Sequence, residues 1–419
     1  MKKCVVCGSK LHHDVVLIGD QYPSAIFTTE KDPFRNKLNK SSLNLTKCSN
    51  HLCGLIQLSE PVSLADVFEK YPYESSSTLS MKSILMDVKS ACEGRLPNKL
   101  NANDIILDIG GNDGTLLSLF ADSGAGLVNI DAAHNVKQVI SSKRYKYVNS
   151  LFSQSEYINL SLKPPKLITS VAMFYHLVDP ISFTKDVARI MDNDSIWCLQ
   201  MSYAGSMMKN CIVDNIVHEH ITYYTLKSLN YLMNLCGLEI FDAEIIPVYG
   251  GSIRAFIKKK SRQYLSGEKS SRLKDIEDAE ELFSYNELSS LINFNNTAIT
   301  FKNNFRLLLD CLIDQGESIY GFGASTKGNM LLQFLDITGN HMYGVFDNSP
   351  KKIGTTMIGS NIKVLDERYL DDYDVSTLIS LPYYYHDDFK KLIPKLSKKK
   401  CQNKIKLIKP LPLFERDLL

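Results

Sequence analysis

No stretch of this 419-residue chain approaches the roughly 18 uninterrupted apolar residues that a membrane-spanning helix needs, so no spanning segment is expected. Charge of one sign is also missing. The 48 basic and 46 acidic residues leave a formal +2, too weak a field to make nucleic acid or a membrane surface the main partner. The opening residues, MKKCVVCGSK, are too polar and too rich in cysteine for a secretory leader, so the cytoplasm is the expected location. Ten cysteines in a reducing compartment argue against a disulfide framework and leave metal ligation as the better account of any tight cluster. The length exceeds one ordinary core, which makes two or three domains the starting expectation.

What is present begins with two cysteine pairs. Cys4 and Cys7 form C-x2-C followed by Gly8; Cys48 and Cys53 form a looser pair, again followed by a glycine. A C-x2-C turn aims both sulfurs at one point, and the trailing glycine lets a backbone amide approach a sulfur. Four thiolates in two pairs match a tetrahedral structural Zn2+ site, which would have no open position for substrate. The other cysteines show no ligand spacing and read as small core hydrophobes.

Residues 104–120, DIILDIGGNDGTLLSLF, read as a strand, a glycine-rich turn and a helix, and GLVNIDAAHNV reads as a second strand ending in Asp131. An acid at that strand end is placed for ribose hydroxyls. The glycines choose between cofactors. Gly110, Gly111 and Gly114 make G-G-x-x-G rather than G-x-G-x-x-G, with Asn112 and Asp113 inside the turn. An acidic, amide-bearing loop repels a pyrophosphate but suits a sulfonium cation and an amino group, which favours S-adenosylmethionine over NAD. The expected cofactor residues are Asp108, Gly110, Asn112, Gly114 and Asp131.

The next strand, KLITSVAMFYHLVDP, is expected to end at His176 and Asp179–Pro180, where carboxyl ends of parallel strands face substrate. Residues 214–225 read DNIVHEHITYYT. His218 and His220 are two apart, so this is not a zinc-protease H-E-x-x-H. An extended chain would put both on one side and Glu219 opposite, unless the backbone turns there. From about 263 to 315 charged, leucine-spaced sequence predicts amphipathic bridging helices. GESIYGFGASTKGN and HMYGVFDNSPKKIG then repeat the strand–turn–helix and strand–acid order, a second Rossmann-like unit. Its Gly321, Gly323, Lys327 and Gly328 suit a substrate diphosphate.

The paired cysteines, YPYESS at 71–76, DIGGNDG, HEHITYY, GGSIR at 250–254 and YGFGASTKGN at 320–329 together resemble the sugar C-methyltransferases that act on nucleotide-linked ketosugars. The resemblance spans nearly the whole chain. It implies an α/β protein in three parts: a zinc-binding module (1–70), a class I methyltransferase Rossmann-like core (71–262), and a helical bridge with a C-terminal Rossmann-like domain (263–419). It also implies methylation, at carbon 3, of a GDP- or dTDP-linked 4-keto-6-deoxyhexose by a monomer. His220 would be the base, helped by Glu219, His176 and Tyr73. Such chemistry needs a base for the proton beside the ketone and a donor for the oxygen that takes up the charge. One position departs from the pattern: the family usually has tyrosine where this chain has Val217, so any role of that tyrosine is absent or filled by another residue such as Tyr203 or Tyr223. An O-methyltransferase on the same sugar class would need a base but no such donor.

Overall fold

The computed structural model describes residues 3–29, 31–61, 79–133, 137–140, 144–260, 270–397, 405–411 and 415–418. Tyr71 and Tyr73 lie outside the described residues.

Near the N-terminus β1 (Leu45–Lys47) and β2 (Ile56–Leu58) pair antiparallel, Leu45 opposite Leu58, and all six residues are buried. The connection between them carries Cys48 and Cys53. After α1 (Leu79–Glu93) comes a seven-stranded sheet built from β3 (Ile105–Ile109), β4 (Gly126–Ile130), β5 (Tyr145–Val148), β6 (Leu167–Val171), β7 (Ile196–Ser202), β9 (Leu238–Ile246) and β10 (Ser252–Lys259). Its order is β9-β10-β7-β6-β3-β4-β5. All pairs are parallel except those of β10, which runs against both neighbours. The central strands read as largely apolar runs, broken by Asp108 and Asn129, because helices cover both faces: every residue of β3 and β4 is buried. From β3 the chain winds outward through β4 and β5, then returns to the other flank at β6. The carboxyl ends of β3 and β6 therefore diverge and leave a crevice.

One short strand belongs elsewhere. β8 (Thr222–Tyr223), in the HEHITYY segment, joins β2 with Thr222 opposite Gln57 and Tyr223 opposite Ile56. It completes the small sheet of the N-terminal module, order β8-β2-β1. Local signals start α3 (Pro180–Ile190): Asp179 accepts from Ser182 N at 2.9 Å and Pro180 occupies the first turn, where a missing N–H costs nothing.

The bridging helices are α6 (Ser271–Leu282) and α7 (Leu288–Asp314), following α2 (Thr115–Ser118), α4 (Ala204–Lys209) and α5 (Leu226–Leu235) in the core. Beyond them lie β11 (Ile319–Phe322), α8 (Thr326–Phe334), β12 (Val345–Asp347), β13 (Val364–Asp366), β14 (Thr377–Ser380), α9 (His386–Leu396), β15 (Lys406–Lys409) and β16 (Glu415–Leu418). These strands form a sheet of order β13-β12-β11-β14-β15-β16, parallel except for β16. This is the second Rossmann-like unit that the sequence leads one to expect.

The parts share a core. One hydrophobic cluster runs from Leu43 and Leu45 through Ile216 and Val217 to Leu291, Leu331 and Ile379. Polar contacts reinforce it: Asn329 Nδ2 donates to Ser24 O at 3.0 Å, and Phe27–Thr28 pairs antiparallel with Thr356–Met357. Among the described residues no helix is long and apolar enough to cross a membrane.

Candidate active site

The glycine turn leaves β3 at the crevice. Gly111 is fixed by closeness: a Cβ there would lie 2.5 Å from Asn129 Oδ1 and 2.6 Å from Asp108 Oδ2. Gly114, at φ 80°, takes the left-handed conformation that starts α2. Asp131, at the end of β4, accepts from Asn112 N and from Ala133 N, both at 2.7 Å, and so pins the turn while keeping further lone pairs. Asn129 donates to Asn112 O at 3.0 Å from the other side. Asp108 is buried and accepts from Thr169 Oγ1 at 2.7 Å. Burial pushes its carboxyl up to about 7, partly offset by that hydrogen bond. All five expected cofactor residues thus converge on one turn. Asn129 and Thr169, which sequence reasoning missed, are buried polar residues in largely apolar strands, and that contrast was the available signal.

The histidines gather nearby. β6 stops at Val171 rather than at His176, because the chain turns at Ala172, φ 56°. His176 therefore sits in a short turn, Phe174–His176, beyond the strand. His220 packs against it, ring centroids 5.4 Å apart and planes within 29°, with the Tyr175 ring 4.1 Å from His220 on the same side. Extended alternation does not hold here. His220 N bonds to Val217 O at 3.0 Å, closing a turn that separates the two histidines. His218 is instead buried beside the backbone of Gln21 and Ser41, and burial holds its imidazole down near 4.

His220 Nδ1 lies 2.8 Å from Asn215 O. A carbonyl only accepts, so Nδ1 carries the proton and Nε2 keeps its lone pair. Burial, then the neighbouring His176 and Lys327, hold His220 well below the usual histidine range; burial alone holds His176 near 3. Both rings are neutral at physiological pH. Glu219 is buried, its Oε2 has no hydrogen-bond partner among the described residues, and desolvation raises its carboxyl to about 7.

Two expectations move. Lys327 bonds Asn215 Oδ1 and lies 5.6 and 5.7 Å from the Tyr249 and Tyr384 ring centroids, so it faces the core's site rather than its own glycine turn. Tyr203 does not stand in for Val217: its hydroxyl donates to Glu280 at 2.7 Å in the interior. Tyr223 comes closer, with its hydroxyl 3.5 Å from Asn215 O.

Cys4, Cys7, Cys48 and Cys53 come together, with all four Sγ atoms within 4.8 Å of one another and facing pairs at 3.7 Å (Cys4–Cys53) and 3.4 Å (Cys7–Cys48).

Known proteins decide the class. A family model described as a methyltransferase domain matches residues 90–243, and one described as a C-methyltransferase C-terminal domain matches residues 247–412. The C-methyltransferase NovU of Streptomyces niveus is 24% identical over 373 residues, spanning 86% of this chain and 85% of that protein. These matches show an S-adenosylmethionine-dependent C-methyltransferase. Its core has the class I methyltransferase fold. Solved structures similar to this methyltransferase include the plantazolicin methyltransferase BpumL in complex with S-adenosylhomocysteine (12% identity, 47% of this chain and 95% of that one, TM-score 0.37). A putative methyltransferase bound to the Haloferax volcanii Trm112 activator is also similar (12%, 44% and 96%, TM-score 0.35).

Proposed function

We propose that this C-methyltransferase alkylates carbon 3 of a GDP- or dTDP-linked 4-keto-6-deoxyhexose through an enolate, with His220 as the base. The observation that carries this reading is the tautomer: with Nδ1–H committed to Asn215 O, Nε2 is a neutral lone pair beside His176 and Tyr175. Nε2 takes the proton on the carbon beside the ketone, and the C–H electron pair moves into the enolate. The Asn215 carbonyl then steadies the imidazolium through Nδ1–H. His176, a neutral imidazole within ring contact of the base, is a donor for the ketone oxygen that takes up charge, a task shared with Tyr73. Glu219 orients a sugar hydroxyl, since a buried, unpartnered carboxylate oxygen gains most from a ligand donor. S-Adenosylmethionine supplies the methyl group, which the α-carbon takes from sulfur as S-adenosylhomocysteine leaves. Asp108, Gly110, Asn112, Gly114 and Asp131 would hold the donor at the crevice.

We assign the four cysteines to a structural zinc ion. A tetrahedral site with Zn–S near 2.3 Å sets sulfurs about 3.8 Å apart, close to the facing pairs here. The three-part division at residues 70 and 262 is part of the same reading.

The test is substrate-dependent washout of the α-proton into D2O, read by NMR beside product mass, on a panel of GDP- and dTDP-linked ketosugars. His220→Ala should lose at least about 100-fold in both washout and methylation. Washout at the wild-type rate in that variant would overturn the base assignment, and methylation with no washout at all would point to O-methylation.

A further inference from the structure

Lys327 belongs to the C-terminal Rossmann unit but points at the core's base. It stands at the start of α8, half-buried, with its ammonium on Asn215 Oδ1 and beside the rings of Tyr249 and Tyr384, whose centroids lie 5.4 Å from each other. Asn215 is 1% exposed, and its Nδ2 has no hydrogen-bond partner among the described residues. Its side chain is therefore held at one end, by Lys327. Its backbone carbonyl holds His220 Nδ1 at 2.8 Å. One residue thus connects the C-terminal domain to the tautomer of the proposed base.

We infer that Lys327 is a positioning residue: it locks Asn215, and Asn215 in turn presents His220 with Nε2 unprotonated toward the substrate. This inference rests on His220 being the base. The physical reason is the cost of a buried polar group without a partner. Remove the ammonium and both ends of the Asn215 amide are orphaned; the side chain then reorients toward Asp214, whose buried Oδ2 also lacks a partner among the described residues. That swing displaces the carbonyl that fixes the imidazole. The groups facing His220 are His176 and Tyr175 from the turn after β6, Lys327 from α8, and Asn215 on its own segment, with the Tyr223 hydroxyl also on the Asn215 carbonyl. Of these, Lys327 alone is a cation when protonated; burial lowers its ammonium from the usual lysine range, and the neighbouring Asp214 opposes that shift. Losing it removes a cation that opposes imidazolium formation, so the acid limb of the rate profile should move toward higher pH.

The experiment uses full-length protein with 15N-labelled histidine, the His220 signals being identified by their loss in His220→Gln. Wild type should show a single Nδ1–H tautomer. Lys327→Met should show a mixed or reversed tautomer, a roughly tenfold fall in kcat for α-proton exchange with KM changed less than about twofold, and an acid limb moved upward; Lys327→Arg should restore most of the rate. An unchanged tautomer in Lys327→Met overturns the proposal whatever the rate does. A raised KM with kcat and tautomer unchanged overturns it too, returning Lys327 to a substrate-anchoring role. The tautomer is read without turnover, so failure of this inference is separable from failure of the base assignment, which the His220→Ala washout decides.

Discussion

Glu219→Gln should make the protein more stable at alkaline pH while slowing methyl transfer. Glu219 is 3% exposed and one carboxylate oxygen finds no partner among the described residues, so ionising it in the folded state means desolvating a charge with little return. Its folded pKa is raised from 4.5 to about 7, with desolvation as the cause. A raised folded pKa means that stability is fully present below the unfolded value and is lost as pH rises through about 7. The difference of roughly 2.5 pH units, at 1.36 kcal/mol each, amounts to up to about 3 kcal/mol of penalty at pH 8. Glutamine fills the same space without the charge, so the gain should be largest at pH 8 and vanish below about pH 4.5, partly offset by its own buried amide. Thermal unfolding of both proteins without ligands, from pH 5 to pH 8.5, should show a Tm difference of a few degrees that grows with pH. A variant less stable than wild type at pH 8, or a pH-independent gain, would refute the reasoning.

Replacing Cys48 by serine should drop metal content well below one zinc per chain by elemental analysis. Because the module's β2 pairs with the strand just after His220, kcat should fall more than affinity for S-adenosylmethionine measured by calorimetry. Gly111→Ala forces a methyl group to within 2.6 Å of Asn129 Oδ1 and Asp108 Oδ2, both on buried side chains, so donor affinity should fall at least about tenfold; unaltered binding would count against the cofactor assignment. Tyr203→Phe deletes one donor to the buried Glu280, which also caps α5 through Lys227 N at 3.1 Å. It should cost about 1.5–3 kcal/mol in denaturant unfolding and leave the proton-exchange rate in place.

Much of this was legible from local pattern. Two cysteine pairs, an acid before a glycine turn and an acid closing the next strand are short-range signals, and those residues lie in the four-sulfur cluster and at the turn after β3. The region around His220 was less so. Whether HEH is extended or turned depends on Val217 sinking into a core shared with Leu291 and Ile379, and on Thr222 finding Gln57 across the chain. Neither contact leaves a trace in periodicity over 12 residues. Asn215 could not be singled out either, because the atom that sets the tautomer is its backbone carbonyl, which every residue has. Lys327 was noticed, but for its own glycine turn, since nothing in that turn reveals that α8 begins against the Val213–Asn215 turn of the other unit.

The two Rossmann-like units share one device and use it differently. In each, the acid at the end of the second strand ties back to an amide of the glycine turn: Asp131 to Asn112 N at 2.7 Å, and Asp347 to Ala324 N at 2.8 Å. In the core that leaves a turn whose inner residues, Asn112 and Asp113, suit a cationic cofactor. In the C-terminal unit Lys352 closes the same turn from outside by donating to Ala324 O at 2.7 Å, and Lys327 faces away to Asn215. The second unit thus directs its positive charge to its own backbone and to the Asn215 side chain of its neighbour. A diphosphate at the C-terminal turn would have to displace one of these contacts. On this reading the duplicated fold serves the reaction by completing the wall behind His220, and the core alone, without α8, would hold the donor but leave the base free to adopt either tautomer.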